Sequence, residues 1–307
     1  MNQKKLSFIS SLCLILTAAI WGFAFVIVKD SLDYVGSVWM IAFRFTIAAI
    51  LLGLCFLKKF KLMTRKLFFQ GAFLGLLLFL AYVVQTIGCF YTTAGKNAFL
   101  TAVYVVFIPI IMWPLTGKRP RWYVFLAACM CLGGIGILSL RTGDTGGVNI
   151  GDILTLICGV FYALHIIFVA RTGQDGDPIL LTILQFAFAA LFGWILSVFI
   201  QNPEVNGPFP LEQLKNYRVI LSMLYLGVFS TCLAFLMQNV CLKFVAPPLA
   251  SLFLSLEAVF GVLFSSLILH EALSIRMISG CLLIFAAILL AEVLPGIESS
   301  RKRKSGT

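Results

Sequence analysis

Long apolar runs alternate with short polar connections along the whole chain. Ten runs, at about 8–28, 35–57, 67–91, 96–115, 122–140, 152–171, 179–200, 217–240, 247–269 and 274–294, approach or exceed the roughly 20 mostly apolar residues that a membrane-spanning helix needs. The pattern predicts an all-α membrane protein with ten transmembrane helices. Short connections leave no room for a separate soluble catalytic or receptor domain. Lys4 and Lys5 before the first run imitate a secretory signal, but the run is long for a signal core and has a counterpart later in the chain, so it is read as the first span.

That counterpart belongs to an internal repeat. Adding 153 to the numbering carries Gln85 onto Gln238, Phe107 onto Phe260 and Lys118 onto Glu271, which lays runs three to five over eight to ten. Adding 141 carries Trp21 onto Tyr162 and Arg44-Phe45 onto Gln185-Phe186, which lays runs one and two over six and seven. Five spans per half is an odd number, so the second half crosses the membrane in the opposite sense. The expected organisation is two inverted five-helix repeats, 1–145 and 146–296, followed by a basic tail, 297–307. Inverted repeats are an architecture of secondary transporters, which bind near the midplane and expose the site to each side in turn.

Composition agrees, with 61% hydrophobic and 11% charged residues against about 25% charged in soluble chains. The net charge of +11 is divided by the spans. Sixteen basic residues fall on the side of the N-terminus and six on the other, which places both termini in the cytoplasm. The RKRK tail then reads as an orientation and anionic-lipid signal, with the lipid bilayer as partner and no nucleic acid. Nine cysteines without a CxxC pair sit mostly inside the spans, where Cys acts as a small hydrophobe. With only His165 and His270, neither a metal site nor a cofactor is expected.

WGFAFVIVK in the first run, FRF in the second, YTTAGKNAFLTAVYVVFIPI leading into GKRP, and MQNVCLKFVAPPLASLFLSLEAVF followed by HEAL resemble the EamA-like family of the drug/metabolite transporter superfamily. The likeness covers nearly the whole chain and makes the two repeats EamA-like. It implies a ten-helix carrier, often an exporter, for small metabolites such as amino acids or related compounds, in a bacterial plasma membrane. Two positions depart from the family pattern. Ala258 follows Glu257 where proline is frequent, so no proline kink is expected there, and Lys118 stands where glutamate is frequent.

Charges at bilayer depth are the leading site candidates, because each costs roughly 2.5–3.5 kcal/mol on insertion scales. Glu257 would contact a cationic part of a substrate, carry a proton, or pair structurally. Arg44 would meet a substrate carboxylate or, the favoured reading, a permanent partner. Asn97, Thr101 and Tyr104 follow i, i+4, i+7 spacing and form one polar stripe, and Tyr104 plus 153 is Glu257. Tyr82 and Gln85 in run three, Gln238 in run eight, and Tyr162 with His165 in run six serve either a cavity or interhelical hydrogen bonds, the latter favoured for His165. Trp21 lies deep in its run and suits a cavity wall or plain packing. Ala94-Gly95 and Pro247-Pro248 are matched helix breakers, which mark either a transporter's central site or, the favoured reading, hairpin turns between adjacent helices.

The function expected from these features is secondary transport of a small molecule by alternating access. The chain has no GxxxxGK[ST] phosphate loop. A membrane-embedded enzyme is the first alternative, but HExxH and GxSxG are absent. A lipid-translocating or scaffold protein is the second.

Overall fold

A computed structural model describes residues 3–117, 119–139, 149–200, 202, 205–207, 209–270, 274–276, 278–283, 285–287, 289, 290 and 294. Lys118, Arg141, Glu271 and the basic tail fall outside them. The helices are α1 (Gln3–Ser31), α2 (Ser37–Cys55), α3 (Arg65–Tyr91), α4 (Ala94–Thr101), α5 (Tyr104–Thr116), α6 (Trp122–Ser139), α7 (Ile150–Asp175), α8 (Pro178–Phe199) and α9 (Tyr217–Leu224). A π-helical segment (Tyr225–Leu233) follows, then α10 (Ala234–Cys241), α11 (Pro247–Leu254) and α12 (Leu256–Ile268).

Among the described residues, eight helical stretches are long and apolar enough to cross a membrane: Phe8–Ser31, Ser37–Cys55, Arg65–Tyr91, Ala94–Thr116, Ile150–Gly173, Pro178–Phe199, Tyr217–Cys241 and Pro247–Ile268. Each corresponds to one of the predicted runs. The other two runs are represented by α6 and by a shorter apolar helix, Ile278–Ala287. The chain is an integral membrane protein.

Local chemistry sets the helix ends. The Thr64 and Thr93 side chains accept from Leu67 N and Lys96 N to start α3 and α4, and Asn149 with Asp152 forms a reciprocal capping box on α7. Asp177 caps α8 with Pro178 as its first residue, and Pro247 likewise begins α11. The matched breakers are therefore helix starts, as the hairpin reading expected.

α3 packs on α7 and α8, α2 on α8, and α1 on α12 and α10. The GxxxG of α3 is used inside the chain. A Cβ on Gly71 would stand 2.4 Å from Leu184 Cβ, and one on Gly75 would stand 2.6 Å from Phe188 Cβ, so only glycine permits α8 this close.

Two spans are interrupted in mid-course. α4 and α5 are parted at Ala102–Val103, where Val103 N–H reaches Leu100 O at 3.3 Å, three residues back instead of four. α11 and α12 are parted at Ser255, where Ala258 N–H bonds to Ser255 O at 3.1 Å. Ala102 plus 153 is Ser255, so both breaks fall at one position of the repeat. The second was not expected with Ala258 after Glu257. It needs no proline, because tight three-residue bonding at Ser255 ends one helix and starts the next.

Candidate central cavity

The interruptions decide where two polar side chains stand. Tyr104 is the first residue of α5 and Glu257 the second of α12, so both sit at helix N-terminal ends, where the helix dipole favours negative charge. Both line one cavity in the middle of the bundle, together with Trp21, Arg44, Tyr82, Gln85, Thr101, Tyr162 and Gln238. Apolar walls come from Ala24, Phe25, Val28, Ile166 and Phe235, and Ser230 completes the lining. Counted as room for the centres of water molecules, the cavity measures about 40 Å³, enough for a few waters.

Arg44 is 2% exposed and has no acidic partner among the described residues. Its Nε donates to Thr231 Oγ1 at 2.9 Å and its Nη2 to Ser230 Oγ at 2.9 Å. A longer bond runs from Nη2 to Tyr82 Oη at 3.5 Å, and the guanidinium lies 4.5 Å from the centre of the Tyr82 ring. Hydroxyls and an aromatic face hold the cation without neutralising it. Ser230 and Thr231 belong to the π-helical segment, and Ser230 O also accepts from Trp21 Nε1 at 2.8 Å. π-helical geometry of this kind recurs at functional sites.

On the opposite wall polar groups stand without partners. The Tyr104 hydroxyl lies beside the Glu257 carboxyl, yet neither Tyr104 Oη nor Glu257 Oε1 makes a hydrogen bond, and both amide atoms of Gln238 are unpartnered. Buried polar groups ordinarily have partners, so several convergent orphans mark a place made for something else. No ion pair joins Arg44 to Glu257 among the described residues. One cavity therefore presents both a cation and a carboxyl group among largely aromatic side chains.

The third wall is already satisfied. Gln85 Nε2 donates to Thr101 Oγ1 at 3.1 Å, and Tyr162 Oη donates to Gln85 Oε1 at 2.8 Å. Asn97 and His165 stand apart from the cavity lining. Asn97 Nδ2 ties α4 to Gln85 O at 3.2 Å and to Thr155 Oγ1 at 2.8 Å. His165 Nε2 meets Gln185 Oε1 at 2.8 Å, an interhelical bond as favoured from sequence. Nothing in the residue pattern singles out Ser230 and Thr231, since hydroxyls in an apolar run are commonplace, or the aromatic walls of Phe25 and Phe235.

A second opening lies toward the end that carries the N-terminus, lined by Met112, Leu115, Ala170, Arg171, Lys243 and Val245 among others. By the same count it holds about 490 Å³. Arg171 and Lys243 are turned to helix-end carbonyls, Leu115 O at 2.9 Å and Gly176 O at 3.2 Å.

Known proteins give this geometry a family. A crystal structure of a protein with 17% sequence identity matches the fold with a TM-score of 0.71, covering 93% of this chain and 96% of that one. An uncharacterised transporter of Archaeoglobus fulgidus is 33% identical over 289 residues, 92% of this chain and 86% of that protein. The uncharacterised transporter YvbV of Bacillus subtilis is 26% identical, covering 92% and 91%. The model of the EamA-like transporter family matches twice in succession, over residues 8–140 and 149–292. With the interrupted spans, the central cavity and a family match over both segments, the chain belongs to the EamA-like transporter family.

Proposed function

We propose that the protein is a secondary carrier that exports a small amphipathic metabolite bearing both a negative and a positive group, such as an amino acid or a related compound. Transport proceeds by alternating access across a bacterial plasma membrane. Ten spans form two inverted repeats, 1–145 and 146–296, with both termini cytoplasmic. The observation that carries the reading is the pairing of Arg44 and Glu257 on the wall of one cavity without a bond between them. Arg44 keeps Nη1 free of protein partners for a carboxylate, while Glu257, Tyr104 and Gln238 receive an ammonium group. Trp21, Tyr82, Tyr162 and Phe235 supply the apolar contact.

Export is supported by the wide opening on the basic side, which the distribution of Lys and Arg assigns to the cytoplasm. Substrate would enter there. Orientation is tested by labelling single cysteines from outside the cell: Leu211→Cys, exposed on the loop before α9, reacts and Lys61→Cys does not. Reversed labelling refutes the assignment.

Function is tested by comparing intracellular and extracellular metabolites with and without overexpression, then reconstituting the protein with the compounds whose distribution changes. The expected result is movement of a zwitterionic compound, recovered chemically unchanged, that Arg44→Lys and Glu257→Gln each reduce at least about tenfold. A chemically altered product points to an enzyme. Movement of a lipid or of an uncharged compound alone, indifferent to both substitutions, refutes the reading.

A further inference from the structure

The end of the bundle away from the N-terminus holds a cluster of buried charge that the central cavity does not use. Asp152, in the first turn of α7, is 1% exposed. It accepts from Lys96 Nζ of α4 at 2.6 Å, from Asn149 N–H at 3.1 Å and from Thr92 Oγ1 at 3.3 Å. Beside this pair, Lys29 near the end of α1 donates to Cys89 O, Phe90 O and Thr92 O at 2.9, 3.2 and 2.7 Å. Those carbonyls close α3, where a cation is favoured by the helix dipole. Four helices, α1, α3, α4 and α7, are thus tied at one place. Val28, the residue before Lys29, lines the central cavity, so the tie lies at the cavity's edge.

The opposite end is built differently at the matched positions. The repeat offsets carry Lys29 onto Ala170, Thr92 onto Val245, Lys96 onto Leu249, and Asp152 back onto Ser11. None of the four carries a charge. Ala170 and Val245 line the wide opening at that end. The ion pair found there among the described residues, Lys59 with Asp177, joins positions that are 34% and 17% exposed and outside that lining. Two pseudo-equivalent ends therefore differ in kind: one is fastened by an ion pair on a buried carboxylate with its satellite hydrogen bonds, and the other stands open, with the charged groups of its lining, Arg171 and Lys243, turned to backbone carbonyls.

We propose that Lys96, Asp152 and Lys29 form a latch that keeps the cavity shut at their end, and that its one-sidedness makes access from the basic end the resting state of the carrier. The proposal rests on the transporter reading of the central cavity. Opening the latched end separates Lys96 from a carboxylate that has almost no contact with water, so the closed state is favoured until substrate binding compensates. Removing either charge shifts the balance between the two access states without touching the residues that hold substrate.

Val28→Cys, placed in a full-length chain whose native cysteines have been replaced, reports access. A membrane-impermeant maleimide is applied separately to right-side-out and inside-out vesicles. In the parent the cysteine reacts from the basic face and is protected at the latched face. Asp152→Asn and Lys96→Met each raise the rate at the latched face by about tenfold or more and lower it at the basic face. Lys96→Met guards against misfolding of the first variant, since Asp152 keeps its bonds from Thr92 and Asn149. A parent that already reacts quickly at the latched face overturns the latch. So does a parent labelled from the basic face with no gain in either variant, and that result leaves the transporter reading standing. No labelling from either face in any of the three overturns both.

Discussion

Tyr104 and Glu257 stand at one position of the two halves, each just after a break in a membrane-spanning helix, and they face the same cavity. The tyrosine hydroxyl and the carboxyl oxygen Oε1 are both buried without hydrogen-bond partners. Neither group closes a structural ion pair, since no cation bonds Glu257 among the described residues. Glu257→Gln is therefore expected to abolish or strongly impair transport while leaving thermal stability in detergent unchanged or higher, because a neutral amide is cheaper to bury than a charge. A structural pair would instead lose about 3–5 kcal/mol when one partner is removed. Normal transport by the variant, at unchanged affinity and pH response, would sink a transport role for Glu257.

The hydroxyl cage of Arg44 makes a graded prediction. Thr231→Val leaves Arg44 Nε without its acceptor and is expected to cost about 1–3 kcal/mol, with weaker binding of a carboxylate-bearing substrate. Thr231→Ser keeps the acceptor and should retain most of both. Unfolding midpoints and apparent substrate affinity check the pair, and equal behaviour of Val and Ser would remove the cage from the account.

Much of this was legible beforehand and some could not be. The spans announce themselves through length and hydropathy, and Gln85, Gln238, Arg44 and Glu257 stand out because polar groups are costly at depth. The interruptions at Ala102 and Ser255 carry neither glycine nor proline, so nothing in the residue types marks them. The π turn is equally silent: Tyr225–Leu233 has the composition of any apolar helix, and its extra width arises only from packing. Asp152 lies at a helix start, where an acidic residue reads as a cap, and its bond to Lys96 from another helix is a tertiary fact. Asn97 shares a helical face with Thr101 and Tyr104 by spacing, but it stands a turn before Thr101, short of the cavity that the other two line, and bonds to Thr155 of α7 instead.

The close approach of α3 and α8 predicts what the glycines are for. Gly75→Val would drive its side chain into Phe188 Cβ and into the Gln185 carbonyl, 2.6 and 2.8 Å from a Cβ at that position. The expected result is loss of folded protein or a lowered melting temperature, on the scale of a few kcal/mol. Size-exclusion chromatography of the surviving fraction should show the parent's oligomeric size. A change of size at unchanged stability would instead assign the motif to contacts between copies.

Asp177 supplies a pH test outside the spans. Burial alone would raise its carboxyl, but the hydrogen bond from Lys59 and those from the Leu180 and Ile179 amides outweigh it and hold it below the ordinary aspartate value. A group depressed in the folded state contributes stability that is present above its unfolded pKa and lost as pH falls through the folded one. Melting temperature should therefore fall between about pH 4 and pH 2 by more in the parent than in Asp177→Asn, which keeps the cap but cannot titrate. The difference is small, since the pair is partly exposed. Identical pH profiles would show that the cap, and not the charge, is what α8 uses.

The π-helical segment makes the duplicated halves non-interchangeable. In the first half the stretch matched to Tyr225–Leu233 lies within the unbroken helix α3, and the residues matched to Ser230 and Thr231 are Leu77 and Leu78. Arg44, in turn, is matched by Gln185. A protein assembled from two copies of the first half would set two arginines against leucines, with Tyr82 kept and the two closer hydroxyls, those of Ser230 and Thr231, lost. The two matched segments thus divide the labour: one brings the cation, and the other brings the two closest hydroxyl oxygens that hold it in place.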